Sequence, residues 1–163
     1  EALDHWTEGT SIQWPNDIYW NEKKICGILI ENDLSGHHIG RSISGIGVNI
    51  NQDVFRSNAP NPISLKQITG KDHDRYLILA NIMKRVKEYY TLLQADTSNN
   101  AADIITERYV RSLFRRNGFH RYADADGEFL ARLLRVEPDG RFILEDQAGK
   151  VRGYLFKEVQ YIL

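Results

Sequence analysis

Apolar and polar positions divide the chain into four regions. From Ser11 to Asn49 the period is two: a short run ends at Trp14, Pro15 breaks it, and Ile18 to Trp20 resumes it. Lys24 to Glu31, a turn at "NDLSGHH" and a long run from Ile39 to Asn49 follow. These runs predict an antiparallel set of strands. Residues 50–62, "INQDVFRSNAPNP", are polar with two prolines, and an irregular loop of that length inside a compact domain is more often functional than idle.

The period then lengthens. Leu79, Ile82, Met83, Val86, Tyr90 and Leu93 recur at spacings of three and four after a capping candidate at Asp72 or Asp74. Ile105, Tyr109, Leu113 and Phe114 do the same after Asn100. The spacing predicts helices over 72–95 and 100–116, each with its apolar stripe packed on the sheet as core. After "RRNGFHR" the period returns to two, with Pro-Asp-Gly and Gln-Ala-Gly at hairpin spacing, which predicts a small barrel of the SH3-like kind. Phe129, Phe142, Tyr154 and Phe156 alternate along it and read as its core. The expected class is α+β, with one domain over 1–117 and a second over 118–163. "EALDHWTEG" reads as the tail of a helix stopped by Gly9 and lacks an initiating Met, so a truncated chain is expected.

Composition narrows this picture without redirecting it. The 163 residues are 42% hydrophobic and 26% charged, with 21 basic against 22 acidic side chains, the balance of a soluble globular protein. Net charge therefore does not indicate nucleic acid, and Arg115, Arg116 and Arg121 read as a solvated linker rather than a phosphate site. The single cysteine, Cys26, excludes a disulfide framework or a multi-cysteine zinc site; it reads as core packing in a reducing, cytoplasmic compartment. No run approaches the roughly 18 apolar residues that span a bilayer, so no membrane is expected.

Candidate chemistry sits at the mouth of the strand that begins at Lys24. If Asn21 and Glu22 form a two-residue turn, Trp20 faces Lys23, Tyr19 faces Lys24, Ile18 faces Ile25 and Asp17 faces Cys26. Asp17 and Lys24 then share a face as diagonal neighbours, within reach of each other or of one ligand. Taken alone, such a pair also fits a solvated hairpin, worth well under about 1 kcal/mol. Gly27, Gly45 and Gly47 interrupt the two long strands, where a glycine weakens packing unless something needs close access to the backbone.

"WPND", Lys24 beyond it, "GILIE", "GIGVNIN" and "PNPISL" together resemble the central portion of biotin protein ligases. The resemblance implies a partial class II aminoacyl-tRNA-synthetase-like mixed sheet followed by an SH3-like domain. It implies ATP and Mg2+, with biotin as substrate, and attachment of biotin to a lysine of a carrier protein through biotinyl-5′-adenylate. Lys24 matches the catalytic lysine and Asp17 the magnesium-orienting carboxylate. Asn16 and Asn49 match nucleotide-recognition positions, and Gly27, Gly45 and Gly47 match backbone positions beside biotin. The loop from Asn51 to Pro62 corresponds to one that closes over the adenylate. The implied partner is the biotin carboxyl carrier domain of a biotin-dependent carboxylase, with a homodimer among the assemblies allowed. The family's Gly/Arg-rich biotin-binding motif has no counterpart here and is expected upstream of Glu1, so the chain reads as a C-terminal portion, inactive alone. Two alternatives stay open: a lipoate-type ligase, and a non-catalytic SH3-like binding module.

Overall fold

A computed structural model describes residues 1–36, 38–56, 61–95 and 100–163. By compactness the chain divides into Glu1–Ala95 and Asp96–Leu163. Compactness thus puts the division earlier than the functional boundary at 117/118 read from the sequence, and groups the second long helix with the C-terminal sheet.

In the first unit, β1 (Thr10–Gln13), β2 (Asp17–Trp20), β3 (Lys23–Ser35) and β4 (His38–Val48) form one antiparallel sheet in the order β1-β2-β3-β4. β3 continues through Asp33 and Leu34, and Ser35 pairs with His38, so the turn is tighter than "NDLSGHH"; His37 lies outside the described residues. Residues 1–9 form turns and not a helix tail, with the Trp6 N–H donating to the Leu3 carbonyl at 2.9 Å. Gly9 takes φ 80°, the left-handed geometry that a glycine tolerates.

Leu3, Ile25, Cys26, Ile63, Leu65 and Ile78 form the buried centre of this unit, flanked by Trp6, Ile18, Trp20, Ile28 and Ile82. A short helix not anticipated from periodicity, α1 (Leu65–Thr69), brings Leu65 into that centre. Its start is a reciprocal capping box, in which the Ser64 hydroxyl accepts from the Gln67 N–H and the Gln67 side chain accepts from the Ser64 N–H.

α2 (Arg75–Ala95) begins where Asp74 Oδ1 accepts from the Tyr76 N–H at 2.8 Å. Its buried side differs from the expected stripe. Leu79, Met83, Val86, Tyr90 and Leu93 are exposed. Ile78 is buried, while Ile82, Tyr89 and Leu92 are half-buried. The helix carries two apolar stripes one residue apart, and Ile78 belongs to the one that meets Leu3 and Ile25 in the core.

The second unit holds α3 (Asn100–Arg111) and strands β5 (His120–Asp124), β6 (Gly127–Val136), β7 (Phe142–Asp146), β8 (Val151–Tyr154) and β9 (Gln160–Tyr161). They form an antiparallel sheet in the order β8-β7-β6-β5-β9; among the described residues no ladder joins β8 to β9, so no closed barrel forms. The expected hairpin turns are present, with Gly140 and Gly149 at φ 87° and 80°. Tyr122, Ala131, Phe142 and Leu144 are fully buried and Tyr154 nearly so, whereas Phe156 is exposed and stands outside the core expected of it. Arg115 is tied to the fold and is not a solvated linker residue: its guanidinium donates to the Arg121 and Ile162 carbonyls at 3.2 and 3.0 Å.

A polar network crosses this sheet. Asp124 Oδ2 accepts from the Tyr154 hydroxyl at 2.6 Å and from Arg152 at 3.2 Å, and the guanidinium reaches Asp146 at 3.1 Å. The Tyr154 hydrogen bond and then the backbone N–H of Asp126 hold the Asp124 carboxyl below its ordinary range, against the opposing effect of burial.

Candidate active site

The site begins with the β2–β3 hairpin. Asn21, at φ 51°, makes the two-residue turn, and Trp20 pairs with Lys23 and Tyr19 with Lys24 as the turn chemistry predicts. The register then shifts between Ile18 and Tyr19, so Ile18 faces Cys26 and Asp17 faces Gly27. The expected Ile18–Ile25 and Asp17–Cys26 pairs do not form. Ile25 is the additional residue of a β-bulge, which turns its side chain into the core at zero exposure.

Across that bulge the Lys24 ammonium donates to Asp17 Oδ2 at 2.6 Å, with the two side chains 28% and 24% exposed. The pair is sheltered on one side and open on the other. Gly27 lies against it: a Cβ there would stand 3.3 Å from Asp17 Oδ1 and from Lys24 Cε, and 3.4 Å from Lys24 Nζ. Gly47 is the β4 partner of Gly27, and Gly45 pairs with Leu29. Among the described residues, a Cβ at Gly47 would meet only the Gly27 carbonyl at 3.8 Å, and one at Gly45 only Leu29 Cβ at 3.9 Å. The sheet therefore carries a strip without side chains beside a carboxylate–ammonium pair.

The Lys24 backbone is fixed as firmly as its side chain. Its N–H donates to the Asn61 carbonyl at 2.8 Å and its carbonyl accepts from the Ile63 N–H at 2.9 Å, so residues 61–63 run parallel to it. Asn16 follows the cis Trp14–Pro15 bond; its carbonyl accepts from the Ile28 N–H at 2.9 Å and its amide donates to the Ile28 carbonyl at 2.6 Å. The Asn49 amide reaches the Lys24 carbonyl at 3.4 Å. Among the described residues each asparagine thus spends one amide hydrogen on strand backbone and retains the amide oxygen and a second N–H for other partners.

Cys26 is buried in the same sheet. Burial pushes its thiol up to about 11; the Asp17 carboxylate adds to the rise and the Lys24 ammonium opposes it. A protonated, enclosed thiol is inert, which agrees with core packing.

No protein-family model matches the chain. It is 31% identical over 151 residues to the bifunctional ligase/repressor BirA of Bacillus spizizenii, a match covering 86% of this chain and 43% of that protein. It is 36% identical over 147 residues to the biotin-acetyl-CoA-carboxylase ligase of Paracoccus denitrificans, covering 86% of this chain and 58% of that one. The fold matches the apo biotin protein ligase of Aquifex aeolicus at a TM-score of 0.72 and 27% identity, over 98% of this chain and 68% of that chain. In sequence and in fold this chain is a relative of the biotin protein ligases. It spans about half the length of the curated relatives it matches, 43% and 58%. The Aquifex ligase has also been solved with biotin and ATP, and that complex matches at the same TM-score, 0.72, with 24% identity, over 99% of this chain and 66% of that chain.

The ligase-like motifs bring Asp17, Lys24 and Gly27 into contact and tie Asn16 and Asn49 to the same strand, and they reach only part of the set that holds the neighbouring loop: Asn51 ends "GIGVNIN" and Ser64 lies in "PNPISL", whereas Lys66, Thr69, Asp72 and His73 fall outside them. Asn51 clamps His73 from both sides: Oδ1 accepts from the His73 N–H at 2.9 Å and the amide donates to the His73 carbonyl at 2.8 Å. Ser64 donates its hydroxyl to the Gln52 carbonyl at 2.6 Å, and the Lys66 ammonium bridges Asp53 and Asp72 at 3.0 and 3.1 Å. The Thr69 hydroxyl donates to the Leu65 carbonyl and accepts from the His73 ring at 2.6 Å. Burial, with Lys71 adding to it, lowers the affinity of that ring for a second proton. The sequence signal for this cluster was the Ser64-x-x-Gln67 capping box. Residues 57–60 of the expected loop lie outside the described residues. Among the described residues no three His, Cys, Asp or Glu side chains gather as a metal cage, and no helix is long and apolar enough to cross a membrane.

Proposed function

We propose that the protein to which these residues belong attaches biotin to a lysine of a biotin carboxyl carrier domain, using ATP and passing through biotinyl-5′-adenylate. The observation that carries the reading is the Lys24–Asp17 pair, 2.6 Å apart beside the strip of Gly27, Gly45 and Gly47, on a chain related to biotin protein ligases. In the first step a biotin carboxylate oxygen bonds to the α-phosphorus of ATP, the bond to the bridging oxygen breaks, and pyrophosphate leaves. In the second, the carrier amine attacks the acyl carbon, the bond to AMP breaks, and the amine loses a proton as the amide forms.

Two anions must meet in the first step. Lys24 is the cation at that junction: it holds carboxylate and phosphate in line and offsets charge that develops on the phosphoryl oxygens. Asp17 supplies one carboxylate ligand for Mg2+, which is ordinarily held by one or two carboxylates together with substrate phosphates and water. When bound, the ion neutralises phosphate charge. Asn16 and Asn49 offer their remaining amide groups to the nucleotide, and Gly45 and Gly47 leave room for biotin against the sheet. The same reading takes residues 1–117 as part of a synthetase-like catalytic domain and 118–163 as an SH3-like domain, in a cytoplasmic enzyme that can form a homodimer.

The test is pyrophosphate release by the full-length protein with ATP and either biotin or lipoate, followed by transfer to a carrier domain. Release with biotin alone is expected; preference for lipoate, or no release with either acid, would overturn the reading. Residues 1–163 by themselves supply Lys24 and one glycine wall. Calorimetric titration of this chain with biotin is expected to show binding weaker than about 1 μM, since a small polar ligand needs several convergent partners in a preformed slot.

A further inference from the structure

We infer that Gly27 is a positioning residue for the Lys24–Asp17 pair, and that its lack of a side chain lets ammonium and carboxylate meet across the β2–β3 ladder. Its bearing on catalysis rests on the ligase reading; its bearing on the pair does not. Two reasons for a glycine can be separated here. Gly27 is not among the glycines held at positive φ, so backbone conformation does not require it. Space does. The bulge at Ile25 makes residue 27 the partner of Asp17, and the Lys24 side chain crosses that same position.

A Cβ at 27 would press on Asp17 Oδ1 and Lys24 Cε at 3.3 Å, closer than the ordinary contact range of 3.4–4 Å. The atoms it meets are the far ends of two flexible side chains, so they yield before the backbone does. The chain should then fold with the pair displaced by a few tenths of an ångström. Hydrogen bonds between charged groups are short and depend on alignment, so a small displacement weakens this one. Gly45 and Gly47 differ, because the atoms nearest a Cβ at either stand at 3.8 Å or more. A methyl group at those positions leaves the pair alone and intrudes on the sheet face itself.

The experiment compares Gly27→Ala, Gly47→Ala and Asp17→Ala with the wild type in the full-length protein. The first readout is the rate at which an amine-acetylating reagent modifies Lys24, followed by peptide mass spectrometry with the exposed Lys23 as internal reference. Gly27→Ala should raise the Lys24 rate toward that of Asp17→Ala, and Gly47→Ala should leave it at the wild-type value. A wild-type rate in Gly27→Ala beside a raised rate in Asp17→Ala overturns the inference. If Gly27→Ala does not fold, Asp17→Ala/Gly27→Ala must restore folding by removing the obstructing carboxylate; failure to do so overturns it equally.

The second readout is pyrophosphate release with biotin and ATP. A misplaced catalytic group typically costs up to about 100-fold, so Gly27→Ala should lower kcat by about 10- to 100-fold with the biotin KM nearly unchanged. Gly47→Ala should raise the biotin KM. The reverse split would make Gly27 a ligand-contact position and defeat the assignment. A wild-type protein that releases no pyrophosphate with biotin would remove the ligase reading, while the acetylation arm would still decide the role of Gly27.

Discussion

Replacing Lys24 with alanine separates what its ammonium contributes to folding from what it contributes to chemistry. The pair with Asp17 is about a quarter exposed on each side, 28% and 24%, so water shares in stabilising both charges. A partly solvated ion pair contributes on the order of 1 kcal/mol or less, and Asp17 left behind stays hydrated on its open side. In a chain of this size that corresponds to a fall in Tm of no more than about 4 °C. On the proposed function the transition state for adenylation weighs differently, because charge would grow on phosphoryl oxygens placed beside the Lys24 ammonium. Loss of one such preorganised group costs about 2.7–4 kcal/mol, or roughly 100- to 1,000-fold in kcat. Lys24→Ala in the full-length protein is therefore expected to fold and to release pyrophosphate at least about 100-fold more slowly. Lys23→Ala is the control, since Lys23 is exposed at the turn. Comparable losses in the two variants, or near-normal release by Lys24→Ala, would refute the assignment.

Asn51→Ala removes both halves of the clamp on the His73 backbone and should lower the unfolding free energy by about 1–3 kcal/mol in a denaturant titration, because two backbone groups lose their partner. The Cys26 thiol, raised from 9.0 to about 11 in the fold, should resist iodoacetamide at pH 8 until the chain is unfolded. Between pH 9 and 11 the unfolded chain has released that proton and the folded chain has not, so Cys26 makes stability fall as pH rises through this window, measurable by chemical denaturation across it. Tyr154→Phe breaks a 2.6 Å hydrogen bond to the Asp124 carboxylate and should cost about 1.5–3 kcal/mol. The same carboxyl is depressed in the fold, so its contribution is complete above about pH 3.9 and is lost as pH falls through the lower folded value; Tyr154→Phe should shrink that acid-dependent loss in thermal melts.

Much of this organisation was legible in the chain because period and turn chemistry act locally. The Asn21-Glu22 turn determines the Trp20–Lys23 and Tyr19–Lys24 pairs without any tertiary information. The loop-flanking cap at Ser64 was also local, written as Ser-x-x-Gln, although the helix it starts is only five residues long and too short to show a period. α2 was legible as a helix and not as a packed face. Its apolar residues fall at 78, 82, 89 and 92 and again at 79, 83, 86, 90 and 93. The second keeps an unbroken spacing of three and four while Arg85 interrupts the first, so periodicity favours the stripe that is exposed, and the choice of the other comes from contact of Ile78 with Leu3, Ile25 and Leu65. The sequence marked the asparagines as candidate site positions and not as donors engaged by the strand backbone, since a bond from Asn16 to Ile28 spans twelve residues and depends on the register between them.

That register is where packing and chemistry meet. Strict alternation along β3 would place Ile25 and Cys26 on opposite faces, with one of two adjacent apolar side chains turned away from the core. The bulge buries both, at 0% and 4% exposure, and full burial of an isoleucine alone is worth about 1.5–3 kcal/mol. A bulge leaves ladder groups to find other partners, and here they do: the Ile25 carbonyl accepts from the Asn49 N–H at 2.8 Å, while the Lys24 N–H and carbonyl bond to residues 61 and 63. The extra residue also advances β3 by one position relative to β2, which moves Cys26 away from Asp17 and brings Gly27 opposite it. Without the bulge a cysteine side chain would face the carboxylate at that position of the ladder. The demand of the core for Ile25 therefore sets where the ammonium of Lys24 stands, so a substitution such as Ile25→Ala reaches the site through register as well as through the cavity it leaves.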